Sequence, residues 1–110
     1  QPKTEDMHAT NDAVQLKLGM THLAHRRFSE AINVFNDMIA SDLYDRDARL
    51  WLHISDAREA LEANRPEAAI VHYRKVLVLD QHNREARDKI KGTQRNAKLD
   101  SLPFGRFFKK

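Results

Sequence analysis

An internal repeat constrains this chain more than any other feature. The segment FSEAINVFNDMIASDL at 28–43 returns as PEAAIVHYRKVLVLDQ at 66–81. The alignment places Ala31 on Ala69, Ile32 on Ile70, Phe35 on Tyr73 and Met38 on Val76, each pair 38 positions apart. The helices that precede these segments align through Leu18, Ile54 and Ile90, at steps of 36. A helix pair that recurs at such a period cannot bury its apolar stripe alone and does so against its neighbour. The expected architecture is therefore an all-α stack of helix hairpins, an α-solenoid.

Apolar residues recur at three- and four-residue intervals along nearly the whole sequence, the signature of amphipathic helices. A first helix is expected to start near Thr10 to Asp12, to carry Val14, Leu16, Leu18, Met20 and Leu23, and to end around His25-Arg26-Arg27. Cations there suit the negative end of the helix dipole. A second runs from Ser29 to Ser41. A third is capped by Asp45 or Asp47 and carries Leu50, Trp51, Ile54, Ala57 and Leu61. Asn64-Arg65 closes it, and Pro66 suits the first position of a fourth, where its missing N–H is not needed. Asn83 is expected to cap a fifth, sparsely apolar helix reaching Ala97. The chain thus divides into a polar arm (1–11), repeat one (12–45), repeat two (46–82), a capping helix (83–97) and a basic aromatic tail (98–110).

The 110 residues suffice for one small domain. The formal charge of +3 is an average over unlike parts. Residues 1–80 hold ten basic and thirteen acidic side chains, whereas 81–110 hold nine basic and three acidic. The body is therefore not a uniformly cationic nucleic-acid binder. Without cysteine there is no disulfide framework, thiolate nucleophile or cysteine zinc site. No apolar run approaches the roughly 20 residues needed to span a bilayer, and the polar lead lacks the apolar stretch of a secretory signal. These features fit a cytoplasmic or organelle-matrix protein. A first residue that is Gln fits a processed form or a piece of a longer chain.

Residues 12–91 resemble the tetratricopeptide repeat family. The likeness rests on Leu18-Gly19, Ala31, Phe35 and Met38 in the first unit, and on Trp51, Ile54, Ala69, Tyr73, Val76 and Leu79-Asp80 in the second. The sequence departs from the family at Leu43 and Gln81, which replace the closing proline. Ser55 stands at the second unit's glycine position, and both units exceed the family's roughly 34 residues. The resemblance implies a right-handed superhelix of two hairpins plus a capping helix, with Gly19 facing Ala31 where two helices approach closely. It also implies a concave groove that holds a partner peptide or helix, and it implies no reaction.

One family variant grips acidic C-terminal tails through a carboxylate clamp. Its positions fall here on Leu16, Met20, His53, Glu85 and Lys89, and only Lys89 keeps the required charge. A bound carboxylate would lack its paired donors, so this mode is rejected. The expected groove is instead apolar at one end and mixed at the other, lined by Leu16, Met20, Leu23, Leu52, His53, Asp56 and Lys89.

Three of the five phenylalanines fall in the last seven residues. Leu102, Phe104, Phe107 and Phe108, among lysines and Arg106, form a candidate docking tail. It would fold back on the domain or engage a partner. An anionic membrane or RNA is the weaker alternative, since no RNA-binding motif accompanies it.

His22 and His25, three apart on one helix, lack the further ligands a zinc site requires, so no metal or cofactor is expected. No phosphate loop or activated nucleophile stands out, and the chain does not read as an enzyme. The expectation is a non-catalytic protein-interaction adaptor or scaffold. The alternative is a structural subunit, part of a larger solenoid or a homo-oligomer.

Overall fold

The computed structural model describes the backbone of residues 2–101 and the side chains of residues 11–95. The described backbone is all-helical: α1 (Pro2–Ala24), α2 (Phe28–Ser41), α3 (Arg46–Glu62), α4 (Pro66–Leu79) and α5 (Arg84–Ser101). Each helix packs on the next, and α1 also touches α3.

The connections explain the spacing. Arg26 and Asn64, 38 positions apart, take left-handed backbone conformations with φ of 60° and 58°. In both turns the amide three residues past the helix reaches back to its last turn, Arg27 N–H to the His22 carbonyl at 2.9 Å and Arg65 N–H to the Ala60 carbonyl at 2.8 Å. This pattern satisfies carbonyls that a helix end leaves without partners. The second pair of connections also matches. Asp42 accepts from the Tyr44 amide at 3.0 Å, and Asp80 accepts from the His82 amide at 3.3 Å. The Asp45 side chain then caps α3 through the Ala48 amide at 3.0 Å, and Asn83 caps α5 through the Ala86 amide at 2.9 Å.

The core follows the same period. Ala31 and Ala69, Phe35 and Tyr73, Met38 and Val76, and Ala48 and Ala86 are all buried. Small residues at matched places let backbones approach, while one aromatic ring per hairpin fills the space between them. Leu16, Val34, Ile39, Trp51, Leu52 and Ile90 pack around this core.

Several expectations change. The first helix begins at Pro2 rather than near Thr10, since proline suits a first helical position and no glycine or further proline intervenes before Gly19. The fifth continues past Ala97 to Ser101, two residues short of Pro103. The step of 36 linking Leu18, Ile54 and Ile90 is replaced by 38, because turns, caps and buried residues all repeat at that spacing. The residue matching Gly19 is accordingly Ala57, fully buried, and not Ser55. Ser55 is buried as well, with its hydroxyl donating to the Trp51 carbonyl at 2.7 Å. The nearest neighbour of Gly19 is the Phe35 ring. A Cβ at Gly19 would stand 2.5 Å from Cε1 of the Phe35 ring.

Candidate functional site

The seven expected groove residues fall at three places. Leu16 and Met20 line a shallow, mostly apolar recess of about 410 Å³ on α1, with Ala13, Lys17, Thr21 and Ala24. Leu23 and Lys89 border a second cleft. Leu52, His53 and Asp56 lie on α3, half-buried; Leu52 packs on the core and the other two approach His72 of α4. The 38-residue register relates the second of these places to the first. Positions 38 after Met20, Leu23 and Ala24 are Arg58, Leu61 and Glu62.

Those three residues line the second cleft, about 610 Å³ in volume, with Leu23, Ala24, Phe28, Tyr73, Glu85 and Lys89. Its apolar floor comes from successive turns of α1, α2 and α3. Leu23 itself is buried at 3% exposure, so it supports the floor more than it presents a surface. At the rim Arg26 and Glu62 pair across the ends of α1 and α3.

A charged network closes one wall of this cleft. Arg58 of α3 donates to both carboxylate oxygens of Glu85 on α5, Nε to Oε2 at 2.9 Å and Nη2 to Oε1 at 2.6 Å. The Tyr73 hydroxyl of α4 donates to Oε2 at 2.7 Å. A planar guanidinium matched to a carboxylate fixes both distance and angle, so this contact sets how three helices stand together. Burial alone pushes the Glu85 carboxyl up. The hydrogen bonds from Arg58 and Tyr73, with the charges of Arg58 and Lys89, outweigh burial and bring it below its ordinary value. The bond to Glu85 raises Arg58 further, and burial together with its own hydrogen bond to Glu85 pushes the Tyr73 phenol up. The charge of Glu85 is thus already committed to Arg58.

The third place is chemically distinct. His53, Asp56 and His72 each bring one metal-ligating atom within 4.8 Å of the others. Burial, followed by the charges of Lys75, His72 and Arg49, lowers His53 below the ordinary imidazole range. Burial raises the Asp56 carboxyl, and Glu59 adds to that, against the opposing effect of His72 and Lys75. His22, set aside as a metal ligand from sequence, accepts a hydrogen bond at Nδ1 from Arg27 Nε at 3.1 Å.

The sequence reading missed three participants. Arg58 escaped because the first helices of the hairpins were aligned two residues out of step; the Leu23-to-Leu61 spacing was the available signal. Tyr73 was read only as core, although its hydroxyl needs a partner once the ring is buried. His72 carries no local motif, and only the pairing of α3 with α4 brings it to His53 and Asp56. The tail residues Leu102, Phe104, Phe107 and Phe108 lie outside the described residues. Among the described residues, no helix is long and apolar enough to cross a membrane.

Comparison with known proteins adds no relative: no family model matches the chain, and no curated protein or solved structure gives a significant match.

Proposed function

We propose that the chain is a non-catalytic protein-interaction module, a tetratricopeptide-like stack of two hairpins and a capping helix. It would hold an apolar peptide or helix of a partner against α1 and α3. The observation that carries this reading is the recurrence of turns, caps and buried side chains at 38 residues, which repeats one hairpin design along the chain. Stacked hairpins place their first helices on a common face. The recess at Leu16 and Met20 and the cleft at Ala24, Phe28 and Leu61, with Arg58 and Lys89 beside it, would serve as such a face. Apolar anchors in such recesses with a charged rim fit helix-in-groove or extended-segment recognition.

Selection from a displayed peptide library tests this reading. The unmodified chain is expected to enrich apolar peptides that the Leu16→Glu, Met20→Glu double variant no longer binds, with its circular dichroism spectrum unchanged. Both altered side chains are partly exposed, so folding should tolerate the change. Equal binding by the double variant would overturn the reading.

A second reading, that a further element covers the α5 end of the stack, is favoured by one arginine. Arg46 at the start of α3 donates to the Leu79 carbonyl at the end of α4, from Nε at 3.1 Å and from Nη2 at 2.6 Å. Arg84 occupies the matching place on α5, 38 positions on, and lines a recess of about 630 Å³ with Leu77 and Ile90. A covering helix from another copy or another protein would bring a carbonyl end to Arg84 as α4 does to Arg46.

A further inference from the structure

We propose that His53, Asp56 and His72 form a binding site for one divalent transition-metal ion of the zinc type, clamping α3 to α4. His53 and Asp56 stand three apart on α3 and so project from one side of the helix. His72 meets them from the antiparallel helix of the same hairpin. One ligand atom from each lies within 4.8 Å of the others, and all three side chains are half-buried.

Two orphaned nitrogens point the same way. Nδ1 of His53 and Nδ1 of His72 are both buried and have no hydrogen-bond partner among the described residues. Buried polar atoms without partners are costly, and native structures contain few of them. Asp56 Oδ2 stands 3.9 Å from Nδ1 of His72, beyond hydrogen-bond reach. A proton shared between Asp56 and His72 would still leave the His53 nitrogen alone. A cation at the centre of the triangle would satisfy all three groups.

The distances allow it with small side-chain rotations. An ion held at about 2.0–2.2 Å from each ligand in tetrahedral geometry needs those ligands about 3.4 Å apart. The donor set decides the class of ion. Two imidazoles and one carboxylate suit zinc, and next to it cobalt, nickel and copper, whereas calcium and magnesium require shells of oxygen. Three protein ligands leave a fourth position for water or for a side chain of a bound partner.

The repeat itself argues that packing did not require these residues. The positions 38 earlier are Gln15, Leu18 and Val34. The first hairpin therefore places one amide and two aliphatic side chains where the second gathers three ligands.

Calorimetric titration of the untagged, full chain with zinc chloride, repeated with cobalt chloride and followed by visible absorption, tests the site. One equivalent of zinc is expected to bind, with ligand-field bands from the cobalt form and a melting temperature that rises with zinc concentration. Even outer-shell changes cost metal affinity about 10- to 100-fold, so His72→Gln and Asp56→Asn should each weaken binding by at least that much. The double variant His22→Gln, His82→Gln should bind as the unmodified chain does. Absence of one-equivalent binding at micromolar zinc overturns the proposal. So does binding that survives His72→Gln and Asp56→Asn, or that disappears in the His22, His82 variant. Asp56→Asn preserves side-chain shape and carries the comparison if His72→Gln does not fold.

Discussion

Gly19 and Phe35 show how one atom can govern a helix pair. The Phe35 ring is wholly buried, so it cannot swing aside for a Cβ that would meet Cε1 at 2.5 Å and Cζ at 2.7 Å. Gly19→Leu is expected to destabilise the fold by about 1–3 kcal/mol in urea denaturation, through overpacking. Gly92 of α5 gives the opposite result, because a Cβ there meets nothing within 4 Å among the described residues. Gly92→Ala should stabilise by about 0.5–1 kcal/mol, since glycine in a helix interior carries the larger entropy cost. Glycine in a helix was visible from sequence, but its neighbour was not. The side-chain direction of Phe35, not the nearness of Ala31 in an alignment, decides what Gly19 must avoid.

Glu85 makes the pH response of the fold legible at the same scale. Its folded-state carboxyl lies below its ordinary value, held there by Arg58 and Tyr73 against the effect of burial. The unfolded chain therefore binds this proton more readily than the folded one. The contribution is present above the ordinary glutamate value and is lost as pH falls through the folded one. Denaturation midpoints measured from neutral pH down through the acid range should show a decline that is shallower in Glu85→Gln. An equally steep decline in that variant would assign the acid sensitivity to other carboxylates.

At the scale of elements, matched caps set where α3 and α5 begin. Asp45 and Asn83 each supply one side-chain oxygen to the amide three residues on. Asp45→Ala and Asn83→Ala should each cost about 0.5–2 kcal/mol, measured by thermal or urea unfolding. By contrast Arg27 and Arg65, which precede α2 and α4, give those helices no side-chain cap. Helix existence and order were legible because apolar periodicity and Pro66 are local signals. The register between the first helices of successive hairpins was not. Leu18, Ile54 and Ile90 make an attractive apolar alignment at 36. Burial, however, follows the distance between equivalent turns, and those turns are set by backbone geometry at Arg26 and Asn64.

For the molecule as a whole, two faces remain to be used. The α1–α3 side is where a partner segment is proposed, and the α5 end presents Leu77, Ile90 and Arg84 around a recess. If that end is covered by a second copy, sedimentation of the chain should show concentration-dependent association that Ile90→Asp removes. A single monomeric species across concentrations would overturn coverage by self-association. The unequal charge halves acquire a place as well. The acidic excess belongs to the first four helices, and much of the basic excess belongs to α5, whose Glu85 is already paired with Arg58.

Sequence by itself determined that this chain is all-helical, that its second and fourth helices are copies of one design, and which turns and caps separate the elements. Those properties depend on periodicity and capping, which act over a few residues. Tertiary structure alone decided the company each side chain keeps. It brought His53 and Asp56 to His72, brought Arg58 and Tyr73 to Glu85, and set Phe35 against Gly19. A shift of two residues along a helix rotates a side chain by about 200°. The sequence could therefore name these residues without knowing which surface they share.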